Sequence, residues 1–248
     1  MNKSLQIIIA AVGILVCFYS CTKKTTSVDI NLGREYYPIA TGKSITYKVD
    51  STIYDDFTGN TYLRHCYIKD LIDTSFQDLL GQTAYYVKRF YKSDTAAHYT
   101  FQTLYTVTSV NNRIEVMYDN LRYIKLVFPV TYLGTWGGNG YINTNSSKEP
   151  YAWIGDKPYT YKDLGKQFKN DSLTFPNTLT VFHMNELLPS SDTTAAITGF
   201  AEYTYSSEKY AKDIGLVNKE MMLIKKDLAI GGGKRRGFAL KMNCIAYE

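Results

Sequence analysis

Three histidines, His65, His98 and His183, are the only imidazoles in 248 residues, and they lie far apart in the chain. No His-Glu-x-x-His or Cys-x-x-Cys spacing accompanies them, so the sequence supplies no metal framework. His65 and His183 fall in segments that read as strands and His98 near the start of one, so ordinary sheet positions account for all three. A nucleophilic triad can assemble from distant residues, but the Gly-x-Ser-x-Gly elbow that exposes a serine is absent. Gly231-Gly232-Gly233-Lys234-Arg235-Arg236-Gly237 lacks the Gly-Lys-Ser/Thr spacing of a phosphate cradle. It reads as a hairpin loop, with contact to anionic lipid headgroups as the functional alternative. Asp55-Asp56 stands in a turn, where acids suit the backbone. Glycoside hydrolysis needs two carboxyls facing each other across a cleft. No cofactor is expected.

The aromatic residues offer more. Twenty-three tyrosines against two tryptophans favour sheet over helix. Most of these rings serve as core and cross-strand pairs with the hydroxyl reaching water. Trp136, Trp153, Tyr141 and Tyr151 form a candidate ligand surface, either a platform for a sugar ring or the wall of an apolar cavity.

The charge balance, 28 basic against 23 acidic residues, leaves +5, too mild and too evenly spread for a nucleic-acid protein. The aromatic share of 15% excludes disorder. Lys3 followed by an apolar run from Leu5 to Tyr19 has the n- and h-regions of a secretory signal. That run is shorter than the roughly 20 residues of a membrane-spanning helix. Lys23 and Lys24 beyond it oppose an uncleaved anchor by the positive-inside tendency.

Ser20-Cys21 at the end of the run resembles the looser lipobox of Bacteroidota lipoproteins, with Cys21 as the acylated residue. The expected organisation is a signal peptide over 1–20, a lipidated polar tether over 21–31 and one all-β domain over 32–248. Two or more acyl chains hold a protein stably at a membrane. Surface-exported relatives of this kind carry acids after the cysteine. Lys23 and Lys24 stand here instead, which implies the periplasmic face of the outer membrane.

Cleavage removes Cys17 and acylation consumes Cys21, which leaves Cys66 and Cys244 in an oxidising compartment. They either form a disulfide or stand as two small buried apolar residues. Four segments, Asp50-Ser51-Thr52, Asp94-Thr95-Ala96, Asp171-Ser172-Leu173 and Asp192-Thr193-Thr194, resemble the Asp-Ser/Thr-apolar acceptor of Bacteroidota O-glycosylation. Ser51, Thr95, Ser172 and Thr193 are the implied acceptors.

Positioning falls to strands. Ile45, Tyr47, Val49 and Ile53 alternate with polar residues at the two-residue period of a half-buried strand. Further strands are expected over 61–73 and 82–91, with a turn over 75–81. Asn111-Asn112 and Asp119-Asn120 are two-residue turn signals within a three-stranded meander from Thr103 to Phe128. Later strands are expected over 179–183, 196–205, 215–225 and 237–247. A helical turn is expected over 206–212 and a long irregular loop over 134–147. About ten short strands with little helix predict a mainly β fold, a single curved antiparallel sheet closing into a half-barrel or barrel.

Three segments resemble a family of Bacteroidota lipoproteins with a Tyr-rich antiparallel sheet: Tyr37-Pro38-Ile39-Ala40-Thr41-Gly42, Arg122 to Pro129 followed by Trp136 and Gly138-Asn139, and Tyr210-Ala211 to Gly215-Leu216-Val217-Asn218-Lys219-Glu220. Some members are similar to lipid-carrier half-barrels, and the resemblance brings no activity with it. The sequence therefore supports a membrane-anchored envelope lipoprotein, leaning away from catalysis, that binds an apolar (lipid) or glycan ligand or an envelope protein partner. Two other readings stand beside it: a glycan-directed hydrolase using Asp and Glu, and a structural assembly partner. A binding protein predicts a groove of Tyr, Leu and Ile with few ionisable groups. A hydrolase predicts converging carboxylates or a histidine with shifted titration.

Overall fold

Alternation of apolar and polar residues produces strands throughout the computed structural model, which describes residues 32–143, 157–188, 200–227 and 235–248. The strands are β1 (Ser44–Tyr54), β2 (Thr61–Gln77), β3 (Thr83–Lys92), β4 (Thr100–Val110), β5 (Arg113–Tyr118) and β6 (Leu121–Val127). They continue with β7 (Thr135–Trp136), β8 (Tyr159–Lys169), β9 (Thr174–Leu188), β10 (Phe200–Ala211), β11 (Gly215–Asp227) and β12 (Arg235–Tyr247). The helical content of the described residues is one 3-10 turn, Arg34–Tyr36.

All twelve strands belong to one antiparallel sheet, ordered β6-β5-β4-β3-β2-β1-β12-β11-β10-β9-β8-β7. Each hairpin is local except the central pair, where the first strand meets the last: Ser51 faces Leu240 and Val49 faces Met242. The two edge strands, β6 and β7, are neighbours in sequence, so the short chain between them draws the edges together. The sheet nearly closes into a barrel, as the alternation predicts.

The edges meet through side chains more than through a ladder. Ile124 N–H donates to the Gly138 carbonyl at 2.8 Å and the Trp136 indole donates to the Ile124 carbonyl at 2.9 Å. Tyr161 Oη accepts from Val127 N–H and donates to the Val127 carbonyl, both at 2.8 Å. Gly138 tolerates no side chain here, because a Cβ would lie 2.5 Å from the Tyr159 ring. The core follows the inner face in two clusters. One centres on Val87, Val107, Leu126, Tyr161, Leu179 and Val181, the other on Tyr47, Val49, Phe175, Val217, Met242 and Cys244.

Several sequence expectations are corrected. Residues 206–212 extend β10, because Glu208 and Tyr210 pair with Lys219 and Leu216 of β11 and so follow a strand period. Strand β2 runs on to Gln77, which narrows the turn to Asp78–Gly81. Strand β8 escapes sequence reading because Asp163 and Gly165, at φ 52° and 75°, interrupt its alternation. Of the loop expected over 134–147, residues 144–147 lie outside the described residues, and Thr135 and Trp136 form β7. Cys66 and Cys244 are free thiols, since β1 lies between their strands. Two strand spacings of nearly 5 Å each exceed the reach of a disulfide.

Candidate functional site

Charged residues placed on the inner face cannot reach bulk water and must find one another. Asp70 of β2 faces Arg89 of β3 directly, and the guanidinium donates to both carboxylate oxygens at 2.7 Å. Tyr105 Oη donates to the same carboxylate at 3.1 Å, and the Tyr105 and Tyr118 rings lie 5.4 and 5.3 Å from the guanidinium carbon. Burial works against the Arg89 cation, but Asp70 outweighs it and raises its titration.

A second cluster spans the interior. Glu208 of β10 receives Lys125 Nζ of β6 at 2.7 Å, Lys219 Nζ of β11 at 3.3 Å and the Tyr210 hydroxyl at 2.6 Å. Around the seam where the sheet's edges meet, β7, β8 and β9 lie between β6 and β10, so the Lys125 contact crosses the lumen. Burial would raise the Glu208 carboxyl, yet Lys125 and Lys219 hold it well below the ordinary range. Burial, reinforced by Lys125 against the pull of Glu208, lowers the Lys219 ammonium. His183 packs on the Tyr159 ring at 4.3 Å, its Nε2 is buried without a hydrogen-bond partner, and burial lowers it to about 4.

Lys125 reaches the interior through an irregularity, whereas His183, in step with the buried Leu179 and Val181, turns inward by alternation and stands at a second irregularity. Lys125 is the extra residue where Ile114 pairs Leu126 and Glu115 pairs Ile124. His183 is the extra residue where Ser206 pairs Met184 and Ser207 pairs Phe182. A bulge re-aims a side chain against strict alternation. Sequence alternation therefore sets Lys125 opposite Leu126, whereas Leu126 is buried and Lys125 crosses the lumen. Asp70 was findable: Ile68, Asp70 and Ile72 share one parity in an apolar strand.

The barrel opens into a cleft of about 480 Å³ between the N-terminal segment and the ends of β3, β4 and β5. Arg34, Tyr37, Pro38 and Ile39 form one side, and Gln82, Thr83, Tyr85, Ser109, Asn111 and Ile114 the other. Arg34 ties the rim together by donating to the Asn111 carbonyl at 2.5 Å and to Ser109 Oγ at 3.2 Å. Asp78 Oδ1 accepts from Gln82 N–H at 2.8 Å, which sets Gln82 on the rim. Tyr37 lines the cleft and packs on Tyr210 at 5.8 Å between ring centres, so it separates the cleft from the charged interior. A smaller cleft of about 210 Å³ includes Arg113, Glu115, Arg122 and Tyr141.

The residues proposed from sequence are scattered. Trp136 is half-buried against Tyr159 and Tyr161 and serves the seam. Tyr141 is 50% exposed and accepts from Arg113 at 2.7 Å. Trp153 and Tyr151 lie outside the described residues, as do Cys21 and Thr193. Thr95 and Ser172 occupy exposed turns, while Ser51 is half-buried in β1 with strands paired on both sides. His65 pairs with Asp50 across β1 and β2 at 2.5 Å, and His98 is exposed in a loop. Among the described residues, no group of three or more His, Cys, Asp or Glu side chains is placed to hold a metal.

The interior carries more ionisable groups than a simple apolar carrier predicts. Its carboxylates, however, are matched to cations: Glu208 stays ionised at neutral pH and has no proton to give as a general acid.

No family model matches the sequence, and no curated protein matches it. Among solved structures, a Bacteroides fragilis protein described as exported, with a YmcC-like fold, matches at 10% identity and a TM-score of 0.38, over 86% of this chain and 98% of that one. A Vibrio parahaemolyticus domain described as outer membrane lipoprotein-sorting matches at 10% identity and a TM-score of 0.19, over 87% of this chain and 88% of that one. Both likenesses are loose, and neither assigns this chain a family or a function.

Proposed function

We propose that the protein is a non-enzymatic binding protein of the cell envelope, held by lipid on Cys21 at the periplasmic face of the outer membrane, whose barrel mouth takes a glycan. The composition of the mouth cleft carries this reading. Tyr37 and Tyr85 offer ring faces to the apolar side of a sugar, and Gln82, Thr83, Ser109 and Asn111 offer amides and hydroxyls to its hydroxyl groups. The volume lies within the roughly 300–1,000 Å³ typical of small-molecule sites. An acyl chain in the same cleft would cover those polar groups without pairing them.

Native mass spectrometry of the protein purified from its host envelope tests the ligand. A co-purifying saccharide that is lost from Tyr85→Ala and Gln82→Ala supports the reading. Retention of a lipid or protein with no saccharide overturns the glycan assignment. Labelled palmitate entering the wild type but not Cys21→Ala supports the anchor, and an unlabelled wild type with its leader intact overturns it.

A further inference from the structure

The charges that cross the interior do not balance. Asp70 and Arg89 close one to one, with both carboxylate oxygens used. Glu208 instead faces two ammonium groups on a single oxygen, Lys125 at 2.7 Å and Lys219 at 3.3 Å, while its other oxygen takes Tyr210. One positive charge is left over. The Lys219 side chain keeps 28% of its surface accessible. On the neighbouring strand β9, His183 Nε2 is buried without a hydrogen-bond partner. An ammonium donates to an anion, and so does the imidazole nitrogen in the tautomer that carries its proton there.

The register then indicates what lies beyond the charge. On the inner face Lys219 pairs with Met242, and the next inward pair toward the β11–β12 loop is Met221 with Leu240. Met221 and Leu240 are half-buried. A charged floor therefore gives way to thioether and aliphatic surface within one inward step along two strands.

We propose that Lys125, Lys219 and His183 receive the anionic head of an amphiphile, a single carboxylate or phosphate on an apolar chain, and that the chain runs over Met221 and Leu240. The head supplies the second negative charge that two lysines and one glutamate lack. This site is distinct from the mouth cleft and stands on different observations, so it survives or fails independently of the glycan reading. The lowered Lys219 ammonium is the expected state of that group without its anion, and an arriving anion restores it.

The test titrates the full chain, carrying Cys21→Ala so that no attached acyl group competes, with dodecanoate, dodecyl phosphate, dodecanol and acetate. At least one dodecyl anion is expected to bind about tenfold or more tightly than dodecanol, with acetate weaker still. The better of the two anions identifies the headgroup. Lys219→Met is expected to weaken that anion by about tenfold, while Lys219→Arg retains it. Dodecanol binding as tightly as both anions overturns the proposal, and so does undiminished binding by a folded Lys219→Met protein. Wild-type protein provides a readout free of folding effects. Carboxyl-labelled dodecanoate should titrate below its free value when bound, and an unmoved titration overturns the carboxylate assignment.

Discussion

Tyr161 Oη bridges both backbone polar groups of Val127, accepting from its N–H and donating to its carbonyl at 2.8 Å each. One phenol thus replaces two rungs of a ladder at the seam where the sheet's edges meet. An edge strand otherwise presents unpaired donors and acceptors.

Tyr161→Phe keeps the ring in its packed position, 2% exposed in the wild type, and deletes only the hydroxyl. Two backbone groups then lose their partner, at a cost of about 1–3 kcal/mol for each group that stays dry. Urea unfolding should report a loss of about 2 kcal/mol with an unchanged m-value. A loss below about 0.5 kcal/mol would show that water replaces the phenol and that the seam is open to solvent.

Asp70→Ala leaves the Arg89 cation in the interior without its bidentate carboxylate. The expected destabilisation is about 3–5 kcal/mol, the cost of breaking a buried pair. The double variant Asp70→Leu, Arg89→Met removes both charges and should recover most of it. A double variant as unstable as the single one would mean that the pair's geometry matters beyond its charge.

Acid should weaken the fold through His183. Its ordinary value near 6.5 falls to about 4 on folding because burial disfavours the imidazolium. The unfolded chain thus binds the proton first, so stability is full above the unfolded value and declines as pH drops from about 6.5 toward 4. The total over that window is about 3 kcal/mol. Glu208 acts in the same direction at lower pH, since its depressed carboxyl is stabilising until the acid reaches it. His183→Gln should flatten the stability profile between pH 4 and 6.5, and an unchanged slope would assign the loss to other groups.

The thiols should behave as two unlinked cysteines. Burial pushes Cys244 up to about 12, and it also raises Cys66, which is half-buried. Reductant should leave the thermal midpoint unchanged. Iodoacetamide should modify Cys66 slowly in the native protein and Cys244 only after unfolding, because the thiolate is the nucleophile. A midpoint that falls on reduction would restore the disulfide.

Local sequence rules were enough for most of the strands and for the hairpins of β1–β2 and of the β4–β5–β6 meander, but not for β7, β8 or the end of β10. The Asp119-Asn120 turn, with φ 50° and 61°, and the alternation of β1 are readable because both depend on residues within a few positions. The doubled aspartate of the β1–β2 turn is likewise local, since Asp55 accepts from Phe57 N–H at 2.9 Å within the turn, whereas the glycine-rich residues 231–233 lie outside the described residues. Trp136 was singled out from sequence for ligand contact, yet its indole is committed to Ile124. Nothing in its neighbourhood of the chain signals that, because the partner lies across the seam.

What the chain order alone determined, then, is a mainly antiparallel sheet with its turns, since the period of two and the turn chemistry are properties of short segments. Only the closed sheet decided that β1 lies beside β12, that Cys66 and Cys244 stay apart, and that Lys125 and Lys219 share Glu208. The physical reason is that a bulge at Lys125 reverses its expected facing, and curvature brings strands from opposite ends of the sheet order within a hydrogen bond of each other. Neither effect leaves a mark on residues adjacent in sequence.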